Sequence, residues 1–80
     1  MQIEYIATFF THSGAVKYQR YMQREKINIE LQPVPRQVSS NCGIGARFTF
    51  NGDIKQYISE DTEKLSQVTA DGYKLLYEND

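Results

Sequence analysis

Residues 33–48 read PVPRQVSSNCGIGARF and gather both prolines of the chain, its single cysteine and two of its five glycines. Cys42 is the soft nucleophile of this stretch. A free thiol has a pKa near ~8.5 and is mostly protonated at neutral pH, whereas the thiolate attacks, so the neighbours decide what Cys42 can do. His12, the only histidine, can accept the thiol proton or pair with the thiolate. Arg36 supplies a fixed positive charge in the same loop. Ser39, Ser40 and Asn41 can donate hydrogen bonds to a thiolate or to a group bound on sulfur. Gly43 leaves a bare backbone amide beside the sulfur and permits close approach of another molecule. One cysteine makes no internal disulfide, which points to a reducing, cytoplasmic setting. A lone Cys–His pair is too few ligands for zinc, so no metal and no cofactor are expected.

The elements that must hold these residues follow from hydrophobic spacing. IEYIATFF alternates, with Ile3, Tyr5, Ala7 and Phe9 on one face. THSGAVKYQRYMQREK changes to helical spacing: Ala15, Tyr18 and Met22 form a stripe widened by Tyr21, while Lys17, Arg20, Gln23 and Arg24 stay in water. Thr11 or Ser13 can cap that helix. INIELQP alternates again and ends at Pro33. GIGARFTF sets Ile44, Ala46, Phe48 and Phe50 against Arg47 and Thr49. NGD signals a turn, and IKQYISEDTEKLSQV carries a helical stripe of Ile54, Tyr57, Ile58, Leu65 and Val68 that Asp61 interrupts. ADG closes that second helix, and YKLLY reads as a last strand.

The order β-α-β-β-α-β over 80 residues predicts an α+β fold with one domain spanning residues 1–80. It is the ferredoxin-like sandwich, a four-stranded antiparallel sheet with two helices on one face. In that topology strand 3 runs beside strand 1. The end of strand 1, the start of helix 1 and the start of strand 3 then meet at one sheet edge, which brings Thr11, His12 and Ser13 toward Cys42. Cys42 shares parity with Ile44, Ala46 and Phe48, so a regular strand would aim it at the helix-covered face. The roughly half positive charge of a helix N-terminus would favour an anion there.

The TF strand end followed by TH, the PVPR strand end, SSNCG and the following ARF resemble, in order and spacing, a small bacterial domain family of selenium/sulfur carrier-like proteins. The likeness runs from about Tyr5 to Tyr77. The family's PTPR stands here as Pro33, Val34, Pro35 and Arg36, its serine pair as Ser39 and Ser40, and its Cys-Gly pair as Cys42 and Gly43. Ser13 and Gly14 depart from the stronger helix formers usual in the first turn. The resemblance implies a carrier in which Cys42 takes up a persulfide or perselenide, assisted by His12. Gly43, Ser39, Ser40, Arg36 and Thr11 would hold the cargo. The implied partners are a cysteine desulfurase or selenocysteine lyase-type donor and an acceptor protein. A second cysteine would discharge the cargo as a disulfide, and there is none.

Two functions of other classes compete with this one. A sheet with aromatics on strands 1 and 3 can stack bases, yet the net charge of −1 gives no field for nucleic acid or an anionic membrane. Tyr5, Phe9, Phe48 and Phe50 are moreover needed beneath the helices. The main alternative is an interaction or regulatory module with a structural or redox-sensing cysteine, whose uncovered sheet face pairs with a second copy as a homodimer. On that face Arg47 is expected to pair with Glu4 or Glu30. A stand-alone enzyme is the weakest fit: no Ser–His–acid order and no phosphate loop is present, and a carrier or accessory role is favoured. The N-terminal MQIEYIATFF lacks the basic and long apolar segments of a signal peptide.

Overall fold

The structure is a computed structural model that describes residues 3–34 and 43–79. Strand β1 (Ile3–Phe9) is followed by helix α1 (His12–Arg24), β2 (Ile29–Pro33), β3 (Ile44–Phe50), a 3₁₀ turn (Ile54–Tyr57), β4 (Thr62–Thr69) and β5 (Gly72–Glu78). The strands form one sheet in the order β2-β3-β1-β4-β5, and every neighbouring pair is antiparallel. The α+β class and the placing of β3 beside β1 agree with the expectation from sequence. The four strands and two helices of the ferredoxin-like sandwich do not. The described residues hold five strands and one α-helix. No helix among them is long and apolar enough to cross a membrane.

The second helix fails for local reasons. Ser59 and Thr62 bond each other through backbone and hydroxyl, with the Ser59 amide donating to Thr62 Oγ1 at 3.1 Å and the Thr62 amide to the Ser59 carbonyl at 3.1 Å. Such side-chain bonds offer the backbone an alternative to the helical ladder. Only Ile54–Tyr57 coils, capped by Asp53, whose Oδ1 accepts from the Lys55 amide. The second half of the expected helix becomes β4, which fills the free edge of the central strand β1. ADG does not end a helix. Thr69 pairs with Gly72 across a two-residue hairpin loop, and Gly72 takes φ +132°, a backbone conformation that side chains disfavour.

α1 lies on one face of the sheet and packs over β1, β2 and β3. Ala15, Tyr18 and Met22 from the helix meet Tyr5, Ala7 and Phe9 of β1, Ala46 and Phe48 of β3, Ile29 of β2 and Leu65 of β4. The rings of Phe9 and Tyr18 lie 5.1 Å apart and those of Tyr5 and Phe48 5.7 Å. Of the four aromatics that could have formed a base-stacking platform, Tyr5, Phe9 and Phe48 are buried in the core and Phe50 packs half-buried against it. Each fully buried side chain of this size contributes about 2 kcal/mol. Ile6 and Thr8, on the face away from the helix, are buried too, although alternation alone would leave them wet. Burial on both faces suits β1, which is paired on both edges.

Candidate functional site

Four of the seven candidate residues, Cys42, Arg36, Ser39 and Ser40, lie outside the described residues. What the structure gives is the frame on which they are mounted. β2 ends at Pro33 and β3 begins at Ile44, and these two residues face each other as the last pair of the ladder. Beyond them the Val34 amide donates to the Gly43 carbonyl at 3.0 Å. The connection between residues 34 and 43 is therefore closed at its base, and Cys42 is the residue next to that closure.

Gly43 has φ +73°, in the left-handed region that glycine enters without steric cost. Gly43 thus lies outside the regular pleat of β3, and the direction that parity predicts for Cys42 falls outside the described residues. Gly45 has a different task. A Cβ placed there would lie 2.5 Å from Val34 Cγ1 and 3.1 Å from the Ala7 carbonyl oxygen. Val34 thus rests on the bare backbone of β3 and fixes the exit of β2. Spacing alone assigns Gly45 only backbone freedom, yet a glycine inside a strand is a signal of such close approach.

On the other side of this edge stands the start of α1. Thr11 is its N-cap, and its Oγ1 accepts from the Gly14 amide at 3.0 Å. The hydroxyl hydrogen of Thr11, which is exposed, is not used by that bond. His12, the first helical residue, is exposed and lines a small cavity of about 150 Å³ with Leu31, Gln32, Pro33 and Ile44. The helix start and both sides of the loop base meet there. Of the candidates, the structure brings His12 and Gly43 to the same end of the molecule, with Thr11 beside His12.

One electrostatic expectation changes. The segment before β4 lays Asp61 against the first turn of α1, where its Cβ would be only 2.9 Å from a Cβ at Gly14 and its Cγ 3.4 Å. Asp61 also pairs with Lys17 at 3.8 Å. Its carboxylate takes up part of the favourable field of the helix N-terminus, and as a like charge it disfavours a second anion nearby. The helix N-terminus is therefore a weaker anion site than the helix dipole alone implies. The sequence carries a trace of this, since Asp61 breaks the hydrophobic stripe and Gly14 weakens the helix start.

Away from this edge, Arg47 sits where parity places it, on the uncovered face. Its Nε donates to Glu4 Oε2, and Glu30 is its register partner on β2. That hydrogen bond, helped by the guanidinium charge, holds the Glu4 carboxyl below the usual carboxylate range against a smaller opposing effect of burial. Arg47 is thereby committed to the sheet surface.

Residues 4–70 match the family model described as "Putative Se/S carrier protein-like". That span exceeds half of the chain and includes α1, the loop base and Cys42. No curated protein and no solved structure matches the chain.

Proposed function

We propose a sulfur- or selenium-carrier role centred on Cys42, from the premise that the chain belongs to the Se/S carrier-like family. The observation that carries the assignment of residues is the position of His12: it lines the same small cavity as Pro33 and Ile44, the residues at the two sides of the loop base. In this reading the base at that place serves the thiol one residue before Gly43.

His12 takes the proton of the Cys42 thiol. The thiolate attacks the outer sulfur or selenium of a donor persulfide or perselenide. A bond forms between Cys42 Sγ and that atom, and the bond to the donor's cysteine sulfur breaks. The donor thiolate leaves with the electron pair and takes the proton back from His12. No net oxidation occurs, and the cargo returns to an acceptor thiolate or other nucleophile by the same exchange. The Gly43 amide, Ser39, Ser40, Arg36 and the Thr11 hydroxyl hold the bound anion. The donor is of the cysteine desulfurase or selenocysteine lyase class, and the site is within the reducing cytoplasm. The chain works as a single domain and accessory protein rather than as a complete enzyme.

The thiol itself provides the test. With iodoacetamide at pH 7, Cys42 alkylates at least about tenfold faster than free cysteine, as a lowered thiol pKa requires. His12→Ala slows it toward the free rate while leaving the fold unchanged by circular dichroism. Equal rates for the wild type, His12→Ala and free cysteine would remove the activated thiol from the proposal.

A further inference from the structure

We propose that the outer face of α1 is a docking surface for an acidic face of the protein that donates the cargo, an inference that rests on the carrier role. Every charged residue of α1 is basic: Lys17, Arg20 and Arg24. Their spacing of three and four stacks them along one side of the helix, where with Gln23 they line a shallow groove. All four are exposed. Lys17 reaches Asp61 at 3.8 Å but is itself 73% exposed, and neither Arg20 nor Arg24 forms an ion pair with a described residue.

This arrangement opposes the helix's own stability, because like charges three and four residues apart repel. It is also a segregation of charge. The remaining six basic residues of the chain stand against ten acidic ones; of these Glu60 and Asp61 border the stripe beside Lys17 and Arg24, so Arg20 and Arg24 carry its net positive charge in an otherwise negative molecule. Such a charge orients the approach of a negatively charged surface and raises the encounter rate. Its position fits a carrier. The stripe begins one turn beyond His12 and runs away from the loop base, so a partner lying along it meets the Cys42 end with its own edge. Protein is favoured over nucleic acid because Tyr5, Phe9 and Phe48 of β1 and β3 are buried in the core and the chain carries a net charge of −1.

The test uses persulfide loading of the whole chain, followed by intact mass, in two arms. One arm uses a cysteine desulfurase with cysteine as donor, the other inorganic polysulfide. The double variant Arg20→Glu/Arg24→Glu, with helix content checked by circular dichroism, loads from the desulfurase at least about tenfold more slowly than wild type. It loads from polysulfide at the wild-type rate. Raising sodium chloride from about 50 to 300 mM slows the wild-type desulfurase arm and leaves the variant unchanged, since the Debye length falls below the spacing over which the stripe acts. Equal loading of wild type and variant in the desulfurase arm would overturn the docking surface and leave the carrier role standing. If polysulfide also fails to load Cys42, the carrier role falls. The stripe is then decided by titrating the ¹⁵N-labelled chain with a glutamate-rich peptide and with single-stranded RNA of equal charge. Peptide shifts confined to residues 17–24 uphold it, and tighter binding of the RNA overturns it.

Discussion

At the scale of single residues, one ion pair on the sheet carries a group that titrates. Arg47 alternates with the core side chains of β3, and it pairs with Glu4 on the uncovered face as that alternation requires. A pH dependence follows with a definite sign. Glu4 has a folded-state pKa below its ordinary 4.5, so its contribution to stability is complete above 4.5 and is lost as the pH falls through the lower folded value. The effect is small, because both side chains are more than a third exposed and solvent screens the pair. Carboxyl-selective NMR will show Glu4 titrating below 4.5 in the wild type and returning toward 4.5 in Arg47→Met. A Glu4 that titrates at or above 4.5 in the wild type would refute the pairing. His12 is legible in the sequence, but only through topology: its type names the chemistry, and the order of strands places it near the loop. The position of Asp61 leaves only a trace, the break it makes in a hydrophobic stripe, because no local pattern ties its segment to α1.

At the scale of elements, β1, β2, β3, β5 and the first helix follow from their hydrophobic periods, whereas β4 falls where spacing predicts part of a second helix. Residues 54–68 carry apolar side chains at helical intervals, yet Ser59 and Thr62 divert the backbone and the open edge of β1 claims the rest as β4. Pairing with a strand far away in sequence outweighs a weak local stripe. Two glycines report similar tertiary demands. Alanine is favoured over glycine inside a helix by about 1 kcal/mol, so propensity alone would make Gly14→Ala stabilising. The clash with Asp61 reverses the sign, since a Cβ there would lie 2.9 Å from Asp61 Cβ, an atom too close to its own backbone to move freely. Urea unfolding will show Gly14→Ala less stable by about 1 kcal/mol or more, and Gly14→Ala/Asp61→Gly recovering that loss. Gly45→Ala costs about 1–3 kcal/mol, because Val34 and the Ala7 carbonyl both crowd the site. It also displaces Val34 and so loosens the closure that mounts Cys42. Wild-type stability in Gly45→Ala would contradict the close approach of β2 to β3.

At the scale of the whole molecule, the described residues form one α-helix over a five-stranded sheet. The core lies between α1 and β1, β2 and β3, with Leu65 of β4 joining it, and it fixes the helix start against the β2–β3 edge. That fixed edge holds Thr11, His12 and Gly43, and the loop that springs from it carries the only cysteine of the chain. A carrier needs this much and no more: one nucleophile, a rigid mount and a surface on which a partner can settle. The most direct measurement is the intact mass of the protein after incubation with a cysteine desulfurase and cysteine, and separately with a selenium donor, beside the Cys42→Ser variant. The expected result is the gain of one chalcogen atom, lost on reduction and absent from the variant. An unchanged mass with both donors, from a Cys42 that also resists alkylation in the folded state, would make the cysteine structural and contradict the carrier role.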